Sequence, residues 1–171
     1  MSRISTPAKD FEAEREQITD QIEELRTRIE RLETEAVEQF NEHMDEVLDI
    51  LDYENIARIW IERKTQGPDS EFDLHVVRAG PDGAAYEDRI ETLSESEREV
   101  TGLVFALAGY LVHDVHEVCP FMLLDSLEAI DSDRIATLVE YVADYADSLV
   151  VALLPEDAQA LDDGYQRVTD I

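Results

Sequence analysis

Between Phe11 and Leu51 the chain contains neither glycine nor proline, and Ile18, Ile22, Leu25, Ile29, Leu32 and Ala36 recur by alternating steps of four and three. That spacing lays the apolar side chains along one stripe of an α-helix and is the pattern of a coiled-coil seam. The intervening residues are charged, with Glu24 and Arg28 placed at i, i+4 to support the helix. Beyond Ala36 the stripe moves to Phe40, Met44, Val47, Leu48 and Leu51, which predicts a rod that reaches a globular body. At 1.5 Å per residue, a helix of about forty residues extends roughly 60 Å. The competing reading is a long amphipathic helix packed on its own domain.

After Tyr53 the period changes. Ile56–Arg63 is rich in β-branched and aromatic residues, residues 66–70 carry turn chemistry, and Phe72, Leu74 and Val76 alternate, so two antiparallel strands are expected. A second turn at residues 79–83 precedes a short third strand near 84–89. Val100, Leu103, Val104, Leu107, Ala108 and Leu111 then mark one face of a largely buried helix from Glu95 to about His113. Phe121–Leu124 is an apolar strand ending at Asp125, Asp131–Tyr145 is amphipathic, Ser148–Leu154 is a second apolar run, and Pro155–Leu161 begins a short helix. Strands and helices in this order predict parallel strands joined by crossover helices.

Composition narrows the class. A chain of 171 residues with 44% apolar content is large enough for one domain with a core plus an appendage. No long apolar run is present and the first residues lack a secretory stretch, so a soluble, cytoplasmic protein with no membrane contact is expected. The net charge is −28, from 42 acidic against 14 basic residues, and Lys9 and Lys64 are the two lysines. Such a surface repels itself in dilute buffer, whereas at molar salt the Debye length falls to about 3 Å. The composition fits a salt-rich cytosol of the haloarchaeal kind. Phosphate-backbone binding needs Lys and Arg clusters, so direct binding of nucleic acid is disfavoured. One cysteine, Cys119, rules out an internal disulfide framework; because it directly precedes an apolar run it is expected to be buried. His113 and His116 at i, i+3 can be read as a metal pair or as a polar helix end, and His43 and His75 show no convincing partners.

Three short motifs carry the remaining chemistry. Leu93-Ser94-Glu95-Ser96-Glu97 opens the buried helix. Its backbone N–H groups and serine hydroxyl suit a phosphate, and the same residues also read as a capping box with Ser94 as N-cap and Glu97 three residues on. Pro120–Asp125 is an apolar strand, expected to be buried, that ends in a carboxylate, and Ser126–Asp131 (SLEAID) follows directly.

In this order the motifs resemble the signature, the Walker B strand and the D-loop of an ABC-type ATPase head of the SMC kind, and the composition is similar to the archaea-specific SMC-related proteins. The resemblance implies an α/β fold, the C-terminal lobe of such a head over residues 53–171, preceded by a coiled-coil arm over residues 1–52. It implies ATP and Mg²⁺ as cofactors, with Asp125 beside the metal, and Leu93, Ser94, Glu95, Ser96, Glu97 and Asp131 at nucleotide. The nucleotide so engaged is held by a partner, either the N-terminal head half or a second SMC-like head, while the coiled coil pairs with another helix and DNA is met only indirectly. Families of this type organise chromosomes or process DNA ends.

Several residues depart from the pattern. No GxxxxGK[ST] sequence occurs in the chain, so the phosphate-cradling loop and its lysine are missing, and no ATPase activity is expected of the chain alone. The family's water-polarising glutamate after the Walker B aspartate is replaced by Ser126, and the stretch at Ala152–Pro155 lacks the usual histidine; Glu128 is the candidate substitute base. The last residues, 164–171, resemble the final strand of such heads. The alternative function is a non-catalytic coiled-coil dimerisation protein on a degenerate head.

Overall fold

The computed structural model describes residues 6–66, 69–80 and 84–169. It divides into two compact units, one ending at Ala36 and one beginning at Val37. Helix α1, Thr6–Leu51, contributes to both. Pro7 falls in its first turn, where a missing N–H is tolerated. The helix stops at Asp52, whose positive φ of 41° lets its N–H reach back to Leu48 O. In the first unit Phe11, Ile18, Ile22, Leu25, Ile29 and Leu32 are exposed, so the seam is present and bare.

In the second unit the end of α1 enters a core. Met44, Val47 and Leu51 are fully buried, as the shift of the stripe predicts. Strands β1, Ile56–Gln66, and β2, Asp69–Ala79, pair antiparallel, and β3, Ala85–Asp88, adds to β2. The centres of both predicted turns, residues 67–68 and 81–83, lie outside the described residues. β1 is an edge strand of this sheet. At Ile61 its outward-facing groups are met by a side chain from α1: Asn41 Nδ2 donates to Ile61 O at 3.0 Å and Ile61 N donates to Asn41 Oδ1 at 2.7 Å. One amide thus completes the backbone as a neighbouring strand would.

Helix α2, Glu95–Val112, buries Val100, Val104, Leu107, Ala108 and Leu111. Gly109 allows α1 to approach closely, since a Cβ there would lie 3.2 Å from Phe40 Cζ. A single turn, α3, Val115–Val118, leads to β4, Phe121–Leu124, which pairs parallel to β5, Ser148–Val151, across helix α4, Ser132–Ala143. Ile135, Leu138, Val139 and Val142 hold α4 in the core.

Four expectations are corrected. Cys119 is exposed, because it closes α3 in the loop ahead of β4 instead of entering the strand. The apolar run 121–124 is covered on one face alone: Met122 and Leu124 are buried, while Phe121 and Leu123, with Val150 of β5, face outward. The predicted helix at 155–161 is a 3-10 turn over Asp157–Ala160. Residues 164–169 form no strand; Asp162 instead draws Gly164 N and Tyr165 N into a turn, and residues 170–171 lie outside the described range.

Candidate functional site

Ser94 begins α2 with extended backbone, which leaves the first N–H groups of the helix without intrahelical partners. The full capping box forms. Glu97 N donates to Ser94 Oγ at 3.3 Å, and Ser94 N donates to Glu97 Oε2 at 2.7 Å. The serine hydroxyl also donates to Glu97 Oε2 at 2.8 Å, so its one proton is given inward. Leu93 is buried beneath the motif, Ser94 and Glu95 are exposed, and Ser96 accepts from the Tyr53 hydroxyl at 3.3 Å.

Glu97 is a carboxylate 2% exposed in a chain whose acids otherwise cover the surface. Burial alone pushes its pKa up, but the N–H and hydroxyl of Ser94 and the guanidinium of Arg78 outweigh burial and hold it below its ordinary value. Arg78, on β2, places Nη2 2.7 Å from Glu97 Oε1 and Nη1 3.1 Å from Asp88 Oδ2 at the end of β3. Asp88 in turn accepts from the Thr92 hydroxyl and Arg89 N, and these contacts, with Arg78, keep its carboxyl low. Sequence reasoning missed Arg78, since nothing in its local pattern signals that it reaches nineteen residues along the chain.

Asp125 directly follows β4 and is exposed; its Oδ1 accepts Ser126 N at 2.9 Å. Ser126 adopts a positive φ of 61°, an uncommon conformation for a residue with a side chain. Leu127 and Ile130 are buried and close a turn through Ile130 N and Leu127 O, and Glu128 between them is exposed. Asp131 starts α4 and pairs with Arg134 at 3.1 Å, whose other nitrogen reaches Asp52. A cleft of about 210 Å³ is lined by Asp125, Ser126, Leu127 and Ile130 on one side and by Glu99, Val100 and Leu103 of α2 on the other. Neither the five signature residues nor Glu128 or Asp131 lines it.

One exposed carboxylate fits Mg²⁺ of the kind that keeps waters and takes its remaining ligands from phosphates. It does not make a closed cage. Asp125 would hold the ion, whose chemistry is to neutralise phosphate charge; a phosphate cradle has no counterpart among these residues.

His43 and His75 have partners that their sequence positions do not signal, whereas His113 is the polar helix end expected of it. His43 Nδ1 lies 3.2 Å from Glu46 Oε2, and His75 lies between Glu87 and Glu62 while stacking on Trp60 at 4.4 Å between centroids. His113 is an exposed helix end, and His116 packs against Tyr110 and Tyr145. Among the described residues the one set of three clustered metal-ligand side chains is Glu62, Asp73 and His75 on β1 and β2. Lys64 already fills it: its ammonium sits 2.6 Å from Asp73 and 3.1 Å from Glu62. Those hydrogen bonds raise the lysine pKa and lower that of Asp73. The cluster therefore carries its own cation.

No established family model matches the chain. It is 62% identical over 148 residues to the Smc-like protein Sph2 of Halobacterium salinarum, covering 80% of this chain and 22% of that protein. It is 59% identical over 155 residues to the Smc-like protein Sph3 of Haloferax volcanii, covering 86% of this chain and 24% of the relative. The chain thus spans under a quarter of the length of these relatives. Among solved structures, the Smc head domain with a coiled coil and joint from Pyrococcus yayanosii aligns with TM-score 0.68 at 21% identity, covering 91% of this chain and 29% of that one. The Smc head domain with an extended coiled coil bound to the C-terminal domain of ScpA, from Pyrococcus furiosus, aligns with TM-score 0.64 at 20% identity, covering 89% of this chain and 37% of that one. Among the described residues no helix is long and apolar enough to cross a membrane. By sequence this chain is similar to part of the haloarchaeal Smc-like proteins, and its fold is that of part of an Smc head domain with its coiled coil.

Proposed function

We propose that the chain acts as a head half-module in chromosome organisation or DNA repair, engaging nucleotide held by a partner head through the motif at Ser94. The observation that carries this reading is the separation of the two chemistries. Asp125 lines the cleft and the signature residues do not, while Ser94 stands exposed at a helix start. That separation supports a reading in which the serine serves a phosphate carried by another head. Two further features support a partner. Parallel strands are normally covered on both faces, yet Phe121, Leu123 and Val150 stand bare, a face on which a further layer can pack. The exposed seam of α1 fits a second helix. ATP and Mg²⁺ enter only with that partner, and the acidic surface keeps DNA contact indirect.

The test is association in Mg-ATP and molar KCl with full-length Sph2 of Halobacterium salinarum as the second head. Ser94→Arg abolishes the ATP-dependent part of that association while circular dichroism stays native. If association and its ATP dependence survive the substitution, the signature is vestigial. The second reading, a coiled-coil dimerisation protein on a degenerate head, then takes over; Ser126 in place of the family's glutamate favours it.

A further inference from the structure

Arg78 brackets the motif. One prong of its guanidinium holds Asp88, before the signature, and the other holds Glu97, inside it, with the Tyr86 ring 6.0 Å away. Arg78 lies on β2 and its two anchors lie at the end of β3 and the start of α2, so one side chain ties the three-stranded sheet to the segment that presents Ser94. A lysine, with one point charge, cannot reproduce this fork.

The fork bears on what the serine can do. A hydroxyl has one proton to donate, and here Glu97 Oε2 takes it. For Ser94 to donate to a phosphate, that proton must leave a carboxylate that is 2% exposed. A buried carboxylate tolerates the loss only while other donors remain on it. Ser94 N stays on Oε2 and Arg78 stays on Oε1. We propose that Arg78 is a positioning residue for phosphate engagement: it holds Glu97 so that the Ser94 hydroxyl can be released outward. This rests on the head reading above and adds a residue outside all three motifs.

Arg78→Gln, Arg78→Lys and Ser94→Arg are compared with the unaltered chain in two measurements. The first is association with full-length Sph2 in molar KCl, with and without Mg-ATP. Arg78→Gln is expected to reduce the ATP-dependent affinity by roughly ten- to a hundredfold, the range found when partners that orient metal ligands are removed. The ATP-independent part should stay unchanged, and Arg78→Lys should fall between. The second is amide hydrogen exchange at Ser94, whose N–H is bonded to Glu97; it should quicken in Arg78→Gln without a comparable change in the core amides of α4. Unchanged exchange at Ser94 overturns the positioning role whatever the function. Unchanged ATP dependence in Arg78→Gln, with Ser94→Arg abolishing it, overturns the inference and leaves the head reading standing; if Ser94→Arg has no effect either, both fall.

Discussion

Replacing Asn41 probes how the end of α1 is joined to the sheet. Its amide makes two hydrogen bonds to the backbone of Ile61, at 3.0 and 2.7 Å, on a half-buried edge. Leucine has nearly the same shape and neither polar atom. Each such bond contributes about 1 kcal/mol net, so Asn41→Leu should cost about 2 kcal/mol. For a cooperative unit of this size that lowers the melting temperature by about 8 °C. Aspartate separates the two bonds. It can still accept from Ile61 N, but when ionised it sets an oxygen against Ile61 O, and when protonated it can donate there as asparagine does. Its folded pKa is therefore raised above an ordinary value of about 3.9. A group whose folded pKa is raised adds stability below its unfolded pKa and loses it as pH rises through the folded one. The deficit of Asn41→Asp relative to the unaltered chain should shrink as pH falls from 7 towards about 4. Chemical denaturation in molar KCl, followed by circular dichroism, measures both variants. Asn41→Leu melting with the unaltered chain, or an Asn41→Asp deficit that is flat across pH, would refute the strand-completing role.

The isolated chain should show no measurable binding of Mg-ATP by isothermal titration in molar KCl, because it has no GxxxxGK[ST] cradle; micromolar binding would contradict this. Helix content and melting temperature should rise with KCl towards the molar range, given a net charge of −28; equal stability in dilute buffer would count against salt adaptation. Glu97, its pKa depressed in the fold, stabilises above its ordinary value of 4.5 and stops doing so as pH falls through the lower folded value. Acid titration of the Arg78→Gln variant, which loses part of that depression, should accordingly show a shallower loss of stability than the unaltered chain below pH 4.5.

The parts of this fold that follow local rules were legible in the sequence. The seven-residue stripe of α1, the hairpin after Tyr53, the capping box at Ser94 and the βαβ order each depend on spacings within a dozen or so residues. What escaped was set by contacts across the chain. Arg78 meets Glu97, Asn41 meets Ile61 and Lys64 meets Asp73 because sheet register and helix packing bring them together, and no local period encodes those meetings. Burial of the β4 run was over-read for the same reason. A continuous apolar strand reads as covered on both sides, but which sides are covered depends on the other layers present. The strand expected over residues 164–171 does not form in its described part, 164–169, where a local turn at Asp162 takes the chain instead. For the site, spacing alone placed Ser94 at a helix start and Asp125 at a strand end; it gave no indication that the serine proton is turned inward.

The left-handed turn at Ser126 bears on how freely the carboxylate beside it can act. Serine holds φ of 61° at a cost of about 1–2 kcal/mol relative to glycine, and its N–H ties the Asp125 carboxylate back onto the loop through Oδ1. A cation brought to this strand end would have to compete with that hydrogen bond for the same oxygen, so the corner exchanges part of its appetite for metal for a turn that keeps its shape.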